Sequence, residues 1–140
     1  MKVRDVMVER VSRCSELDRI DMCSRLMRDR KVGLLPVINT GGRVVGVVTD
    51  RDIALRVVAG NRPGSTLVRE VMTRGPVVTV TAGDELTELE SRLAKARKRR
   101  AVVIDSFGRC VGIVSLWDIA QKEEPSRTVM LLREVSRGRE

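Results

Sequence analysis

One unit is written twice along this chain. Val3-Arg4-Asp5-Val6-Met7 recurs as Val68-Arg69-Glu70-Val71-Met72, sixty-five residues on. Val45-Gly46-Val47-Val48-Thr49, followed by Asp52-Ile53-Ala54, recurs as Val111-Gly112-Ile113-Val114-Ser115, followed by Asp118-Ile119-Ala120, sixty-six residues on. The one-residue slip falls at Arg74-Gly75-Pro76. Self-similarity over such a length means one supersecondary unit used twice. Each copy is shorter than the roughly 60 residues at which a lone domain is marginal, so the two are expected to bury their apolar faces against each other.

Periodicity fills in each unit. In the first, Val11 to Cys14 reads as a strand and Ser15 with Asp18 as a helix cap. Ile20, Cys23 and Met27 share one helical face, and the helix is expected to end before Gly33. Leu34 to Ile38 is a buried strand whose Pro36 suggests an edge or a bulge. Asn39-Thr40-Gly41-Gly42 is a turn, Arg43 to Val48 the return strand, and Thr49 opens a helix carrying Ile53, Val57 and Val58. The second unit repeats this: strand Val77 to Val80, cap Thr81 with Asp84, stripe Leu86, Leu89 and Leu93, strand Ala101 to Ile104, turn Asp105 to Gly108, strand Arg109 to Val114, and a helix opened by Ser115. The expected organisation is a first repeat over 1–60, a linker over 61–67, a second repeat over 68–121, and a C-terminal tail over 122–140 in which Thr128 to Val135 forms a short helix. The fold class is α+β: tandem βαββα repeats, small mixed sheets and helices packed with pseudo-two-fold symmetry.

Composition narrows the chemistry. No histidine is present, which removes His-based nucleophile activation and the usual physiological-pH base. Cys14, Cys23 and Cys110 are odd in number, lie in apolar stretches and form no Cys-x-x-Cys, so they read as reduced core residues, and no metal is required. No constellation of acid, base and nucleophile stands out, so an enzyme is not expected. The formal charge of +8, from 27 basic and 19 acidic residues, favours anionic partners. Phe107 and Trp117 are the only aromatics, which disfavours single-strand readers that stack bases. The N-terminus lacks an apolar signal segment and no apolar run reaches about 18 residues, so a cytoplasmic location off the membrane is expected.

The ordered set resembles the CBS-domain family: the doubled Val-Gly-Val/Ile-Val pattern, Leu35-Pro36-Val37-Ile38, and Thr49 or Ser115 three residues before Asp52 or Asp118. It covers residues 3 to 120. The resemblance implies a stand-alone two-repeat regulatory module with clefts between the repeats. Such modules bind AMP, ADP or ATP, less often S-adenosylmethionine, commonly form homodimers, and act on a partner protein. By the family pattern, Val11, Ser12, Leu34 and Pro36 line one cleft for the base. Val78, Thr79, Arg100 and Val102 line the other, and the apolar ones of both sets are equally ordinary packing positions.

The repeated turns suit that ligand physically. In Thr49-Asp50-Arg51-Asp52, a strand ends and a helix begins, leaving backbone N–H groups unpaired. The Thr49 hydroxyl can donate to a phosphate, Arg51 can reach one, and Asp52 can accept from both ribose hydroxyls. Ser115 and Asp118 offer the same arrangement in the second repeat, with Leu116 and Trp117 between them. The same Thr-x-x-Asp spacing is also a plain capping box, the role assigned to Ser15/Asp18 and Thr81/Asp84. Trp117 reads as a packing or dimer residue. The basic run Lys95-Ala96-Arg97-Lys98-Arg99-Arg100 reads as a solvated helix end, or, through Arg100, as an aid to phosphate binding. The alternatives to a nucleotide sensor are a basic nucleic-acid binder, disfavoured by the lack of aromatics, and a purely structural dimerisation module. The particular nucleotide, the number of occupied clefts and the regulated partner are not written in the sequence.

Overall fold

The computed structural model describes residues 1–75 and 77–137, and Pro76 of the expected slip turn lies outside them. The chain forms two compact units, Val11–Val77 and Met1–Arg10 with Val78–Glu140. The Val11–Val77 unit contains β1 (Cys14–Ser15), α1 (Ile20–Arg30), β2 (Leu34–Ile38), β3 (Val44–Thr49), α2 (Asp50–Asp52, continued as a π-helical stretch Ile53–Val58) and α3 (Val68–Val71). The other opens with a 3-10 turn, Val3–Asp5, and continues with β4 (Thr79–Val80), α4 (Leu86–Ala96), β5 (Arg100–Ile104), β6 (Cys110–Ser115), α5 (Leu116–Ala120) and α6 (Pro125–Ser136). Each holds a three-stranded sheet, β1-β2-β3 or β4-β5-β6, with the first strand parallel to the middle one and the third antiparallel. The α+β class and the duplicated unit are as the sequence indicates.

Local chemistry explains the elements. The stripes Ile20, Cys23, Met27 and Leu86, Leu89, Leu93 are buried against their sheets. Fully burying one such side chain stabilises by about 1.5–3 kcal/mol. Both helices stop at a left-handed residue, Lys31 (φ 56°) and Arg97 (φ 52°), a backbone that ends a helix by turning its last N–H groups inward. Both β-turns are closed by one side chain: Asn39 Oδ1 accepts from the N–H groups of Gly41 and Arg43, and Asp105 Oδ1 from those of Phe107 and Arg109.

Several boundaries differ from expectation. The first strands are Cys14–Ser15 and Thr79–Val80, not Val11 to Cys14 and Val77 to Val80. Ser15/Asp18 and Thr81/Asp84 do not cap helices. Asp18 and Asp84 accept from the Ser15 and Thr81 N–H groups at 2.8 and 2.9 Å, closing a turn, but α1 and α4 begin after Arg19 and Glu85. Those two residues are held extended by bridges to Leu67 and Lys2. Pro36 sits in the central strand rather than at an edge, and the strand carries a register shift just beyond it, between Val37 and Ile38. The other sheet explains how: Val102, its counterpart, donates to the Val78 carbonyl at 2.9 Å. Pro36 has no such proton, and β1 starts one rung later. Val58 points to solvent, 73% exposed, because the π-helical winding rotates it off the buried face of Val57.

Two packing features were not visible in the repeat. The Val-Arg-Asp/Glu-Val-Met segments are exchanged. Val3 and Arg4 donate to Asp84 and Ala82 carbonyls, and Val8 exchanges two backbone bonds with Ile113. Val68 and Arg69 donate to Asp18 and Glu16 carbonyls, and Thr73 exchanges two with Val47. The repeats follow one another along the sequence, whereas the compact units trade these segments. The glycines of the doubled Val-Gly pattern permit the crossing: a Cβ on Gly46 would lie 2.5 Å from the Thr73 carbonyl oxygen, and one on Gly112 3.0 Å from that of Val8. Residues beyond Gln121 also join the core, since α6 buries Thr128, Leu131 and Val135, the two apolar ones beside Leu89, Leu93 and Ile119. Among the described residues, no helix is long and apolar enough to cross a membrane.

Candidate functional site

The two Thr/Ser-x-x-Asp turns sit where β3 meets α2 and where β6 meets α5. Both form reciprocal capping boxes. The Thr49 N–H donates to Asp52 Oδ2 at 3.0 Å and the Asp52 N–H to Thr49 Oγ1 at 3.1 Å. The Ser115 N–H donates to Asp118 Oδ2 at 2.7 Å and the Asp118 N–H to Ser115 Oγ at 3.2 Å. Capping is therefore a present role of both acids.

Beyond the cap the two differ. Asp52 is buried, 8% exposed. Thr73 Oγ1 donates to its Oδ1 at 3.0 Å and reaches Oδ2 at 3.3 Å, and Arg56 Nε lies 3.8 Å from Oδ1. Arg56 also donates to the Val71 and Met72 carbonyls, so Asp52 is tied into the exchanged segment. Asp118 is half-buried. Its Oδ2 takes a further bond from the Ser115 hydroxyl at 2.8 Å, and its Oδ1 accepts nothing from the described residues. Val8, bridged to Ile113 as Thr73 is to Val47, brings no hydroxyl. Lys122 stands where Arg56 does in the duplication and donates instead to the Asp5 carbonyl. Conversely, the Thr49 hydroxyl gives its proton to no described residue, while that of Ser115 is engaged. Thr73 and Arg56 were missed by sequence reasoning. The only signal was the sixty-five-residue offset of the first motif, which aligns Thr73 with Val8.

The surroundings differ in charge as well. Beside the first turn, the Asp50 carboxylate lies against Gly33, where an added Cβ would meet Oδ2 at 2.8 Å, and Arg51 is exposed. Beside the second, Arg100 pairs with Ser115 across the ladder, and the Arg99 carbonyl accepts the Leu116 N–H at 2.9 Å. Arg97, Lys98, Arg99 and Arg100 are all exposed and form no ion pair with described residues. The chain leaves α4 through the left-handed Arg97, and Arg99 and Arg100 follow at the second turn.

The expected base-lining residues fall on the first and middle strands or just ahead of them. Val11 and Ser12 are half-buried ahead of β1, and Leu34 and Pro36 lie on β2. Val78 is a core residue ahead of β4; Thr79 is half-buried on β4 and Val102 buried on β5. Val78 and Val102 are joined directly by their backbone bond. The described residues contain no group of three or more ligands able to hold a metal ion.

A model of the CBS domain matches this chain twice, over residues 3–59 and 68–124. The CBS domain-containing protein YhcV of Bacillus subtilis is 36% identical over 118 residues, covering 84% of this chain and 82% of the relative. Among solved structures, the conserved CBS domain protein TA0289 of Thermoplasma acidophilum superposes with a TM-score of 0.81 at 24% identity, over 96% of this chain and 75% of that one. The CBS domain pair of protein MJ0100, in complex with 5-methylthioadenosine and S-adenosyl-L-methionine, gives a TM-score of 0.76 at 25% identity, covering 86% of this chain and 98% of that one.

Proposed function

The chain belongs to the CBS-domain family, and from that premise we propose that it is a non-catalytic regulatory module that binds an adenine nucleotide. The observation that carries the reading is the Oδ1 of Asp118, which accepts nothing from the described residues, in a turn whose Ser115 pairs across the ladder with exposed Arg100. A half-buried carboxylate oxygen with no partner is suited to accept from ribose hydroxyls. Arg100, next to Ser115 in the ladder, is suited to the phosphates. The adenosine compounds held by the MJ0100 pair support this ligand class. In the first repeat Thr49 and Arg51 are the phosphate-binding candidates, while Asp52 serves the cap and Thr73 first. The reading includes a homodimer in the cytoplasm that acts on a partner protein, with three-quarters-exposed Trp117 as the side chain a second copy would cover.

Trp117, the sole tryptophan, stands beside Asp118 and reports on the site by fluorescence. Titration with AMP, ADP, ATP and S-adenosylmethionine, followed by fluorescence and calorimetry, tests the reading. Asp118→Ala should weaken binding by about 10- to 100-fold, the equivalent of one charge-assisted hydrogen bond. No heat and no fluorescence change with any of the four would overturn it.

A further inference from the structure

We propose that a second copy of this chain docks on the groove between α4 and α6, through its own α6, as an antiparallel two-fold pair. This seat rests on the homodimer in the reading above and is independent of the nucleotide. α6 buries Thr128, Leu131 and Val135, and one flank of the helix stays open. There Arg127, Met130, Leu131 and Glu134 line a groove of about 360 Å³. Its far wall is α4, which offers short side chains at i, i+4 and i+7: Thr87, Ser91 and Ala94. Short side chains leave the space between the two helices unfilled. Met130 stands over it 68% exposed, while Leu131 is buried.

The charges on this flank choose the occupant. The four α6 residues fall at i, i+3, i+4 and i+7, a single stripe of the helix. The stripe has a cation at its N-terminal end, a carboxylate at its C-terminal end and two apolar side chains between them. A two-fold axis between Met130 and Leu131 therefore sets Arg127 against the partner's Glu134 twice, and Met130 against the partner's Leu131. A parallel symmetric pair would set like charges against each other, which is repulsive. The antiparallel contact uses the same patch on both copies and closes at two. Both charged groups have capacity left. Arg127 Nη2 lies 3.0 Å from Glu90 and its Nε 3.6 Å from Glu123, but its Nη1 meets no described residue. Glu134, with its side chain 47% exposed, pairs among the described residues only with Arg137 of its own helix, an exposed contact that contributes little. Methionine is unbranched and fills an irregular gap without a fixed shape.

Sedimentation velocity of the full-length chain over a concentration series tests this seat, and the expected species is a reversible dimer. Met130→Glu places two carboxylates beside the axis, and Glu134→Arg sets an arginine against Arg127 at both ends. Each should raise the dimer dissociation constant by at least about tenfold. Thermal melts of the dilute chains should match wild type, since neither side chain is buried. Met130→Cys should cross-link to its own copy under mild oxidation, the three native cysteines being buried. A chain that stays monomeric at every concentration would overturn both this seat and the homodimer, and leave the groove to a helix of another protein. A dimer that Met130→Glu and Glu134→Arg leave intact would overturn this seat alone, and its loss in Trp117→Ser would put the second copy on α5 instead.

Discussion

Thr73→Val probes the tie between the exchanged segment and the Asp52 turn. The Thr73 hydroxyl meets both oxygens of a carboxylate that is 8% exposed, at 3.0 and 3.3 Å. Valine keeps the shape and removes only the donor. A hydrogen bond to a charged group contributes about 1.5–3 kcal/mol. The Arg56 pair, at 3.8 Å with its side chain half exposed, adds little in water. Thr73→Val should therefore destabilise the protein by about 2 kcal/mol. Asp52→Ala loses the same bond and the cap, which is worth a further ~0.5–2 kcal/mol. The two changes share one interaction, so the double variant should be less destabilised than the sum by about 1.5–3 kcal/mol. Urea unfolding of the four proteins, with slopes compared to check that the unfolded state is unchanged, measures this coupling. Strict additivity, or a Thr73→Val variant within about 0.5 kcal/mol of wild type, would refute the assignment of Thr73 as the partner of Asp52.

Gly46→Ala should destabilise by about 1–3 kcal/mol through overpacking, and more than Gly112→Ala, because its Cβ would stand 2.5 rather than 3.0 Å from a carbonyl oxygen; thermal melts of the pair read the difference. Leu131→Ala, on buried α6, should cost about 2–5 kcal/mol by denaturant titration, whereas removal of a mere tail residue would cost nothing. Burial, then the adjoining Glu123 carboxyl, raises the Glu90 carboxyl above the usual glutamate range, and its Oε1 is buried without a partner. An acid raised on folding binds more protons in the native state, so this group loses stability as pH climbs from the ordinary glutamate value through the raised one. Glu90→Gln should abolish that loss and be the more stable protein at neutral pH, with the gain vanishing in acid; a variant uniformly less stable at all pH values would contradict it. Glu123 is shifted the other way, because its neighbour Glu90 keeps the proton of the pair, and its contribution fades only below the ordinary glutamate range.

The sequence by itself determined the duplication, the order of elements, the two buried helical stripes and the paired capping turns. Each is written at short range: a 3.6-residue period, an alternating strand, a hydroxyl three residues before a carboxylate. The resemblance carried by those motifs supplied the family. Misplaced boundaries, such as Ser15 and Thr81, arose where a bridge from a distant residue kept the chain extended past a valid cap. What only the tertiary structure decided is which twin of each pair is free to act. Asp52 and Asp118 look alike in sequence, but Thr73 crosses to one through the exchange of segments, and Val8 takes the same place by the other. The placement of Arg100 beside Ser115 likewise depends on the ladder register between two strands. A local pattern fixes what a residue can offer, whereas long-range backbone pairing fixes which groups stand next to it and so which of its bonds are already taken.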